Sequence, residues 1–291
     1  MNKGITSTGK LKKGIIGAII GDIVGSRFEW HNHRYTDFEL VHKDCLFTDD
    51  TVMTIAIADW LIAKNMQYTN KYIYDLAGDD LSSIMSEWGN KYPRAGYGAM
   101  FFRWLNTPPK EQKPYNSFGN GSGMRVSPVG FYAKSLEEAL LLAKESAEVT
   151  HNHPEGIKGA QAIASAIYLA RTGKSKKEIK DYIEKSFGYD LNRTCDEIRP
   201  YNQFDETCQG SCPEAIISYL ESDDFESAIR LAVSLGGDSD TIACMTGGIA
   251  AAYYGVPEDI VEKIMPYLPY YIKDELKRFD AMVEDRMSEN E

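Results

Sequence analysis

Between Gly14 and Gly25 the chain reads GIIGAIIGDIVG, which places Gly14, Gly17, Gly21 and Gly25 on nearly one face of a helix. A glycine inside a helix costs about 1 kcal/mol relative to alanine. Repeated at this spacing, glycines make sense where a second backbone comes close to the first. A second run of small residues, Ala243 to Ala252 (ACMTGGIAAA), has the same character. The pair predicts two thin helices crossing close together near the centre of the molecule. Tight packing explains the glycines but leaves Asp22 and Glu29 unexplained.

Helical periodicity dominates elsewhere. Thr51 to Lys64 carries apolar residues almost all round its cylinder, the pattern of a deeply packed helix. The spacing predicts further helices over Leu136–Val149, Pro154–Arg171, Ser175–Phe187, Pro213–Leu220 and Asp224–Leu235. Three more are expected over Asp240–Tyr254, Pro257–Met265 and Tyr271–Arg286. Ser175 ahead of a charged turn, Pro154 and Pro213 at first helical positions, and Glu258 and Asp259 at a helix start are the matching signals. No segment alternates as a strand does, and Asn120-Gly121 is flanked by glycine and serine rather than by alternating runs. The expectation is an all-α fold. Lys91 to Pro128, rich in Pro, Gly, Asn and aromatics, is expected to be irregular and functional. No linker, repeat or low-complexity tract divides residues 1–291, which read as one domain.

The net charge of −11 argues against general binding to a nucleic-acid backbone. The apolar run Ile15–Ile20 is too short to span a bilayer and lacks a signal cleavage site, so no membrane partner is expected. Five cysteines without framework spacing point to the reducing cytoplasm. Cys195, Cys208 and Cys212 have no partner pair to complete a zinc site and read as ordinary thiols.

An acidic chain can also host cations. Thr48-Asp49-Asp50-Thr51 and Asp238-Ser239-Asp240-Thr241 each open a strongly apolar helix. Helix capping explains one such acid or hydroxyl, contributing about 0.5–2 kcal/mol. Paired carboxylates buried there without cations repel one another. Together the clusters offer four carboxylates and several hydroxyls, the oxygen ligand set of Mg²⁺ or Mn²⁺, with no His or Cys to favour zinc. At the level of spacing, a metal centre and capping with surface charge both stay open. The run Ser117 to Arg125 (SFGNGSGMR) has the glycines and the Asn and Ser donors of an anion-binding nest. A plain turn uses the same residues, and the Lys of a Walker loop is missing. Thr150-His151-Asn152-His153-Pro154 is a polar island between helices, suited either to a capped loop or to a ligand contact.

In their order these motifs resemble the ADP-ribosylglycohydrolases, the family that includes the dinitrogenase reductase-activating glycohydrolase. The matching pieces are Gly21-Asp22-Ile23-Val24-Gly25 with Glu29, then Phe47 to Thr51 and Gly96-Tyr97-Gly98. Gly119 to Arg125, Thr150-His151 and Leu235 to Thr241 follow, so the resemblance runs from about residue 14 to about residue 256. It implies a compact orthogonal helix bundle with a binuclear Mg²⁺ or Mn²⁺ centre. The implied ligands are Thr48, Asp49, Asp50, Asp238, Asp240 and Thr241, with Glu29 as a mobile acidic residue beside them. Ser117, Phe118, Gly119, Asn120, Gly121 and Ser122 are implied to bind a diphosphate, with Phe118 or Tyr97 against the adenosine and His151 on the ADP-ribose.

The implied reaction cleaves an ADP-ribosyl N- or O-glycosidic bond through an oxocarbenium-like transition state. Asp49, Asp50 or Asp240 accepts the water's proton and Glu29 assists the leaving group. An ADP-ribosylated protein or small-molecule acceptor is the implied partner and ADP-ribose the product. A non-catalytic ADP-ribose reader and a phosphohydrolase that splits the diphosphate are the rival expectations. A reader on this scaffold is recognised by a lost carboxylate ligand, and all the expected ones are present.

Overall fold

The computed structural model describes residues 14–69 and 80–288, and its centre is the contact that the glycine spacing predicts. Helix α1 (Ile16–Gly25) leads through a 3-10 turn at Ser26–Phe28 towards α2 (Asp49–Thr69). Next come α3 (Leu81–Lys91), α4 (Ala99–Leu105) and the short α5 (Gly121–Met124) and α6 (Ser127–Tyr132). The pair α7 (Leu136–Glu148) and α8 (Pro154–Arg171) packs together, followed by α9 (Lys176–Phe187) and α10 (Cys195–Ile198). Helices α11 (Cys208–Glu221), α12 (Phe225–Ser234), α13 (Ser239–Tyr254), α14 (Glu258–Ile264) and α15 (Tyr270–Ser288) complete the described chain. No strand occurs among the described residues, and the fold is all-α as expected. None of the described helices is long and apolar enough to cross a membrane.

The most extensive helix contact joins α1 to α13. Every residue of α1 is buried. A Cβ placed on Gly21 would lie 2.0 Å from the Ala243 carbonyl oxygen, and one on Gly25 would lie 2.5 Å from Asp240 Cα. Backbone therefore meets backbone, and only glycine permits it. Gly14, expected on the same face, lies ahead of the helix. Around this pair, α8, α11 and α12 pack on α13, while α2 lies on α1 with α3 and α15 against it. The buried apolar side chains form one continuous cluster from Ile15 to Phe279.

Local chemistry sets the helix starts. Ser175 and Glu178 form a capping box on α9, and His153 Nδ1 caps α8 by accepting the Glu155 N–H at 3.1 Å. The expected start at Pro213 is wrong. Thr207 caps α11 by accepting the Gly210 N–H at 3.1 Å, and Pro213 lies inside the helix. The stretch Lys91–Pro128, expected to be irregular, contains α4 and α5, and α4 buries Phe101, Trp104 and Leu105. Its aromatics carry only middling helix propensity, so packing rather than local preference forms it.

Gly21→Ala is expected to destabilise the fold by about 3 kcal/mol, because the Ala243 carbonyl cannot retreat without moving α13. Gly98→Ala, where an added Cβ meets nothing within 4 Å, should stay within about 0.5 kcal/mol of the parent. Urea unfolding measures both. A Gly21→Ala protein as stable as the parent would remove the close contact from its central role.

Candidate active site

Asp22 follows Gly21 on α1 and is fully buried. Its Oδ1 accepts the Thr48 hydroxyl at 2.7 Å. Its Oδ2 accepts the Thr48 N–H at 2.9 Å, the Thr51 N–H at 3.0 Å and the Thr51 hydroxyl. Thr48 Oγ1 in turn accepts the Asp50 N–H at 3.3 Å. The start of α2 is thus satisfied by Asp22 and Thr48, with no call on the carboxylates of Asp49 and Asp50. At α13 the N-cap residue Asp238 makes no side-chain capping bond. Capping does not account for Asp49, Asp50 or Asp238, and it occupies only one oxygen of Asp240, whose Oδ1 accepts the Thr241 N–H at 3.0 Å.

Their carboxylates converge instead. The Thr241 hydroxyl donates to Asp50 Oδ2 at 3.2 Å and joins the two clusters. Glu29, Asp238 and Asp240 each bring an oxygen within 4.8 Å of the others. Asp50 Oδ1 is buried without a partner. The turn that delivers Asp238 is held from two sides: Asn32 Oδ1 accepts the Gly237 N–H at 2.7 Å, and Asn202 donates to the Gly236 carbonyl at 3.0 Å.

Burial pushes Asp49, Asp50 and Asp240 well above the usual carboxylate range, and neighbouring carboxylates add to it. Burial, then the charges of Asp240, Asp22 and Glu206, push Glu29 up to about 8. Asp22 and Asp238 are raised to about 6 by burial, against the hydrogen bonds that hold each of them down. Converging buried carboxylates with an orphaned oxygen are stabilised either by protons or by cations. A donor set of carboxylate and hydroxyl oxygens fits a hard divalent cation.

These acids, Asp22 excepted, form one part of a cavity of about 690 Å³. Gly98–Phe101, Tyr115–Gly121, His151 and Phe204–Thr207 line much of the remainder. The loop before α5 is tied to the start of α11, with the Asn120 N–H on the Glu206 carbonyl at 2.7 Å and the Cys208 N–H on the Phe118 carbonyl at 2.9 Å. Ser117 is buried, and its Oγ accepts the Gly119 N–H at 3.1 Å. Phe118 is 45% exposed and packs against His153 in a T-shaped pair, 5.3 Å between ring centroids.

The structure therefore gathers Glu29, Asp49, Asp50, Asp238, Asp240, Thr241, Ser117, Phe118, Gly119, Asn120, Gly121 and His151 around one cavity. Four expectations change. Tyr97 does not line it: its ring packs on Phe101, 5.7 Å between centroids, and its hydroxyl is buried. Ser122 is fully buried and donates to the Gly156 carbonyl at 2.7 Å, which fastens the loop to α8. Asn120 spends its amide on Asp238 Oδ2 at 2.6 Å and Ser211 Oγ at 3.0 Å, so it braces an acid rather than facing an anion. Thr48 lies beneath the cavity with its hydroxyl on Asp22. The sequence carried no motif for Phe204–Thr207 or Tyr115, and it marked Asp22 without a role.

A family model described as ADP-ribosylglycohydrolase matches residues 5–290. The ADP-ribosylhydrolase ARH3 of Mus musculus is 28% identical over 321 residues, covering 84% of this chain and 83% of that protein. The ADP-ribosylarginine hydrolase Tri1 of Pseudomonas putida (strain GB-1) is 27% identical over 285 residues, covering 88% and 74%. A solved structure described as an ADP-ribosylglycohydrolase-related protein complex shares the fold, with a TM-score of 0.62 at 21% identity over 94% of this chain and 93% of the other. With its motifs in order, its helices in the same fold and the family model matched almost end to end, the chain belongs to the ADP-ribosylglycohydrolase family.

Proposed function

We propose that this hydrolase removes ADP-ribose from a modified protein side chain or a small-molecule acceptor, in a metal-dependent cleavage of the glycosidic bond at the ribose anomeric carbon. The reading is carried by one observation: Glu29, Asp49, Asp50, Asp238 and Asp240 converge on a single cavity that a glycine-rich loop also lines. Asp49, Asp50, Asp238, Asp240 and Thr241 line the cavity and would hold two divalent cations, Mg²⁺ or Mn²⁺, with Thr48 beneath them offering the oxygen of a hydroxyl whose hydrogen is spent on Asp22. Bound there, such cations supply Lewis acidity that orients the ribose hydroxyls and a water.

The chain's own groups do the rest. Asp49 and Asp240 border the cavity and take the water's proton. Glu29, pushed up to about 8 in the cation-free site, borders the same cavity and is placed to pass a proton to the departing nitrogen or oxygen. Ser117 already accepts the Gly119 N–H, which leaves its own hydrogen for a phosphate oxygen. Phe118 offers the adenosine a ring face at the mouth. We read the whole chain as one domain working in the reducing cytoplasm, a reading supported by five unpaired, buried cysteines.

The test is release of free ADP-ribose from arginine-, serine- and nucleobase-linked substrates in Mg²⁺, Mn²⁺ or EDTA. Metal-dependent ADP-ribose is the expected product. AMP would mean diphosphate cleavage, and binding without release would mean a reader. Asp50→Asn and Asp240→Asn are expected to lower turnover roughly a thousandfold with cooperative melting retained. Loss of helical CD in both would return these acids to a structural role.

Protonation gives a second check. Carboxyls raised to about 6 and about 8 bind protons more tightly folded than unfolded. The cation-free protein therefore loses stability as pH climbs from the ordinary carboxylate range through those values. Cations compete with the same protons. The rise in Tm given by Mg²⁺ should be larger at about pH 8 than at about pH 5.5. An equal rise at both would separate cation binding from these carboxyls.

A further inference from the structure

We propose that Arg125 and Thr150 form a relay that fixes His151 as an Nε2–H donor to the diphosphate of the bound ADP-ribosyl group. The ligand in this proposal rests on the functional reading above, whereas the relay rests on geometry alone. All three side chains are buried, at 1%, 0% and 5% exposure for Arg125, Thr150 and His151. One guanidinium nitrogen, Nη2, donates to the Ser146 carbonyl at 2.7 Å and to Thr150 Oγ1 at 2.8 Å. Thr150 Oγ1 lies 2.7 Å from His151 Nδ1.

The direction of the last bond follows from the first. A guanidinium only donates, so Thr150 accepts from Arg125 and has one hydrogen of its own to place. His151 Nδ1 is its partner in the structure. Were Nδ1 protonated, the Thr150 hydrogen would be buried without an acceptor, which native interiors avoid. Nδ1 therefore accepts, and the ring proton sits on Nε2. Burial and the charge of Arg125 hold His151 well below its ordinary pKa, so the ring is neutral and its tautomer decides what it can do.

Nε2 is aimed at the glycine loop. A Cβ on Gly121 would lie 3.0 Å from it and one on Gly119 3.5 Å away, so side chains there would cover the nitrogen. Both glycines and His151 line the cavity. Among the described residues lining it, Arg125 is the one Arg or Lys, while seven carboxylates share the lining, five in the acid cluster and Asp205 and Glu206 on the loop before α11. The charged or polar neighbours that act on its guanidinium are Tyr115 and Cys208 rather than a carboxylate, and its Nε is buried without a partner. A buried cation beside a cavity, with no counter-anion of its own, suits a ligand that brings negative charge. The diphosphate is that charge, and the relay delivers a polarised N–H to it.

Thr150→Val removes the hydroxyl at nearly constant volume, and Thr150→Ser restores it. Long-range ¹⁵N–¹H NMR of the ligand-free protein reads the His151 tautomer, and calorimetry reads ADP-ribose affinity in Mg²⁺. We expect the Nε2–H form in the parent and in Thr150→Ser. Thr150→Val should mix the tautomers, weaken ADP-ribose about tenfold, and raise KM rather than lower kcat. An Nδ1–H ring in the parent overturns the relay, whatever the enzyme does. An Nε2–H ring combined with unchanged affinity in Thr150→Val overturns its part in binding. A parent that binds no ADP-ribose overturns the functional reading and the ligand named here, while the tautomer result still judges the relay by itself.

Discussion

Because Gly21 and Gly25 carry no side chain, α1 settles against α13 at backbone distance, and the acids that follow those glycines enter the same small volume. Asp22 points from α1 to the start of α2, while Asp240 lies in the first turn of α13 with its Cα against Gly25. The clusters around Asp50 and Asp238 are far apart in sequence, and neither helix start needs the other for its own stability. The close contact brings them within reach of a Thr241–Asp50 hydrogen bond of 3.2 Å. A methyl group at either glycine would force the helices apart by more than that bond can span. The fold's centre and the site's geometry are one constraint.

That arrangement has an electrostatic cost, and the structure concentrates it. Asp22 is the exception, since four donors surround its carboxylate and lock the first turn of α2. Asp49 and Asp50 are relieved of capping duty because Thr48 and Asp22 do that work at α2, Asp238 makes no capping bond at α13, and Asp240 takes one first-turn N–H there. Carboxylates buried this close to one another, with few hydrogen bonds to share among them, destabilise the fold unless protons or cations offset their charge. Such residues are a mark of function, because packing alone offers no reason to keep them.

Those features were legible because each is local in sequence. Glycine spacing on α1, small residues on α13 and acid pairs ahead of apolar runs all lie within a turn or two. So do the capping box at Ser175 and the proline opening α8. Helix α3 was equally legible, with Asp80 accepting the Ser82 N–H at 3.3 Å and Leu81, Ile84, Met85 and Trp88 buried at helical spacing, but it was not anticipated. Other features depend on contacts that no window of sequence contains. Asn120 looked like an anion donor until Asp238 and Ser211 were seen to occupy its amide. Tyr97 looked like a ligand platform, but Phe101 draws its ring inward. Pro213 looked like a helix start, but Thr207 supplies the cap earlier. Arg125 ended a motif without a role, and only the fold places Thr150 between it and His151.

The same cavity now presents two opposite electrostatic problems. Its clustered acids call for positive charge, and no carboxylate acts on its arginine. A ligand that carries a diphosphate at one end and ribose hydroxyls at the other answers the second directly, and on the proposed reading it shares cations with the first. Charges that are each unfavourable alone become favourable together, so the two kinds of ligand assist one another's binding by the same factor in either order. The Trp30–Phe204 ring pair, stacked 5.2 Å apart and solvent-exposed, stands beside Glu29 and one of the cavity walls. It makes no call on the charge balance within. Recognition of the sugar-nucleotide can thus remain constant while loops at this rim vary with the acceptor, which is how a rigid scaffold divides chemistry from selectivity.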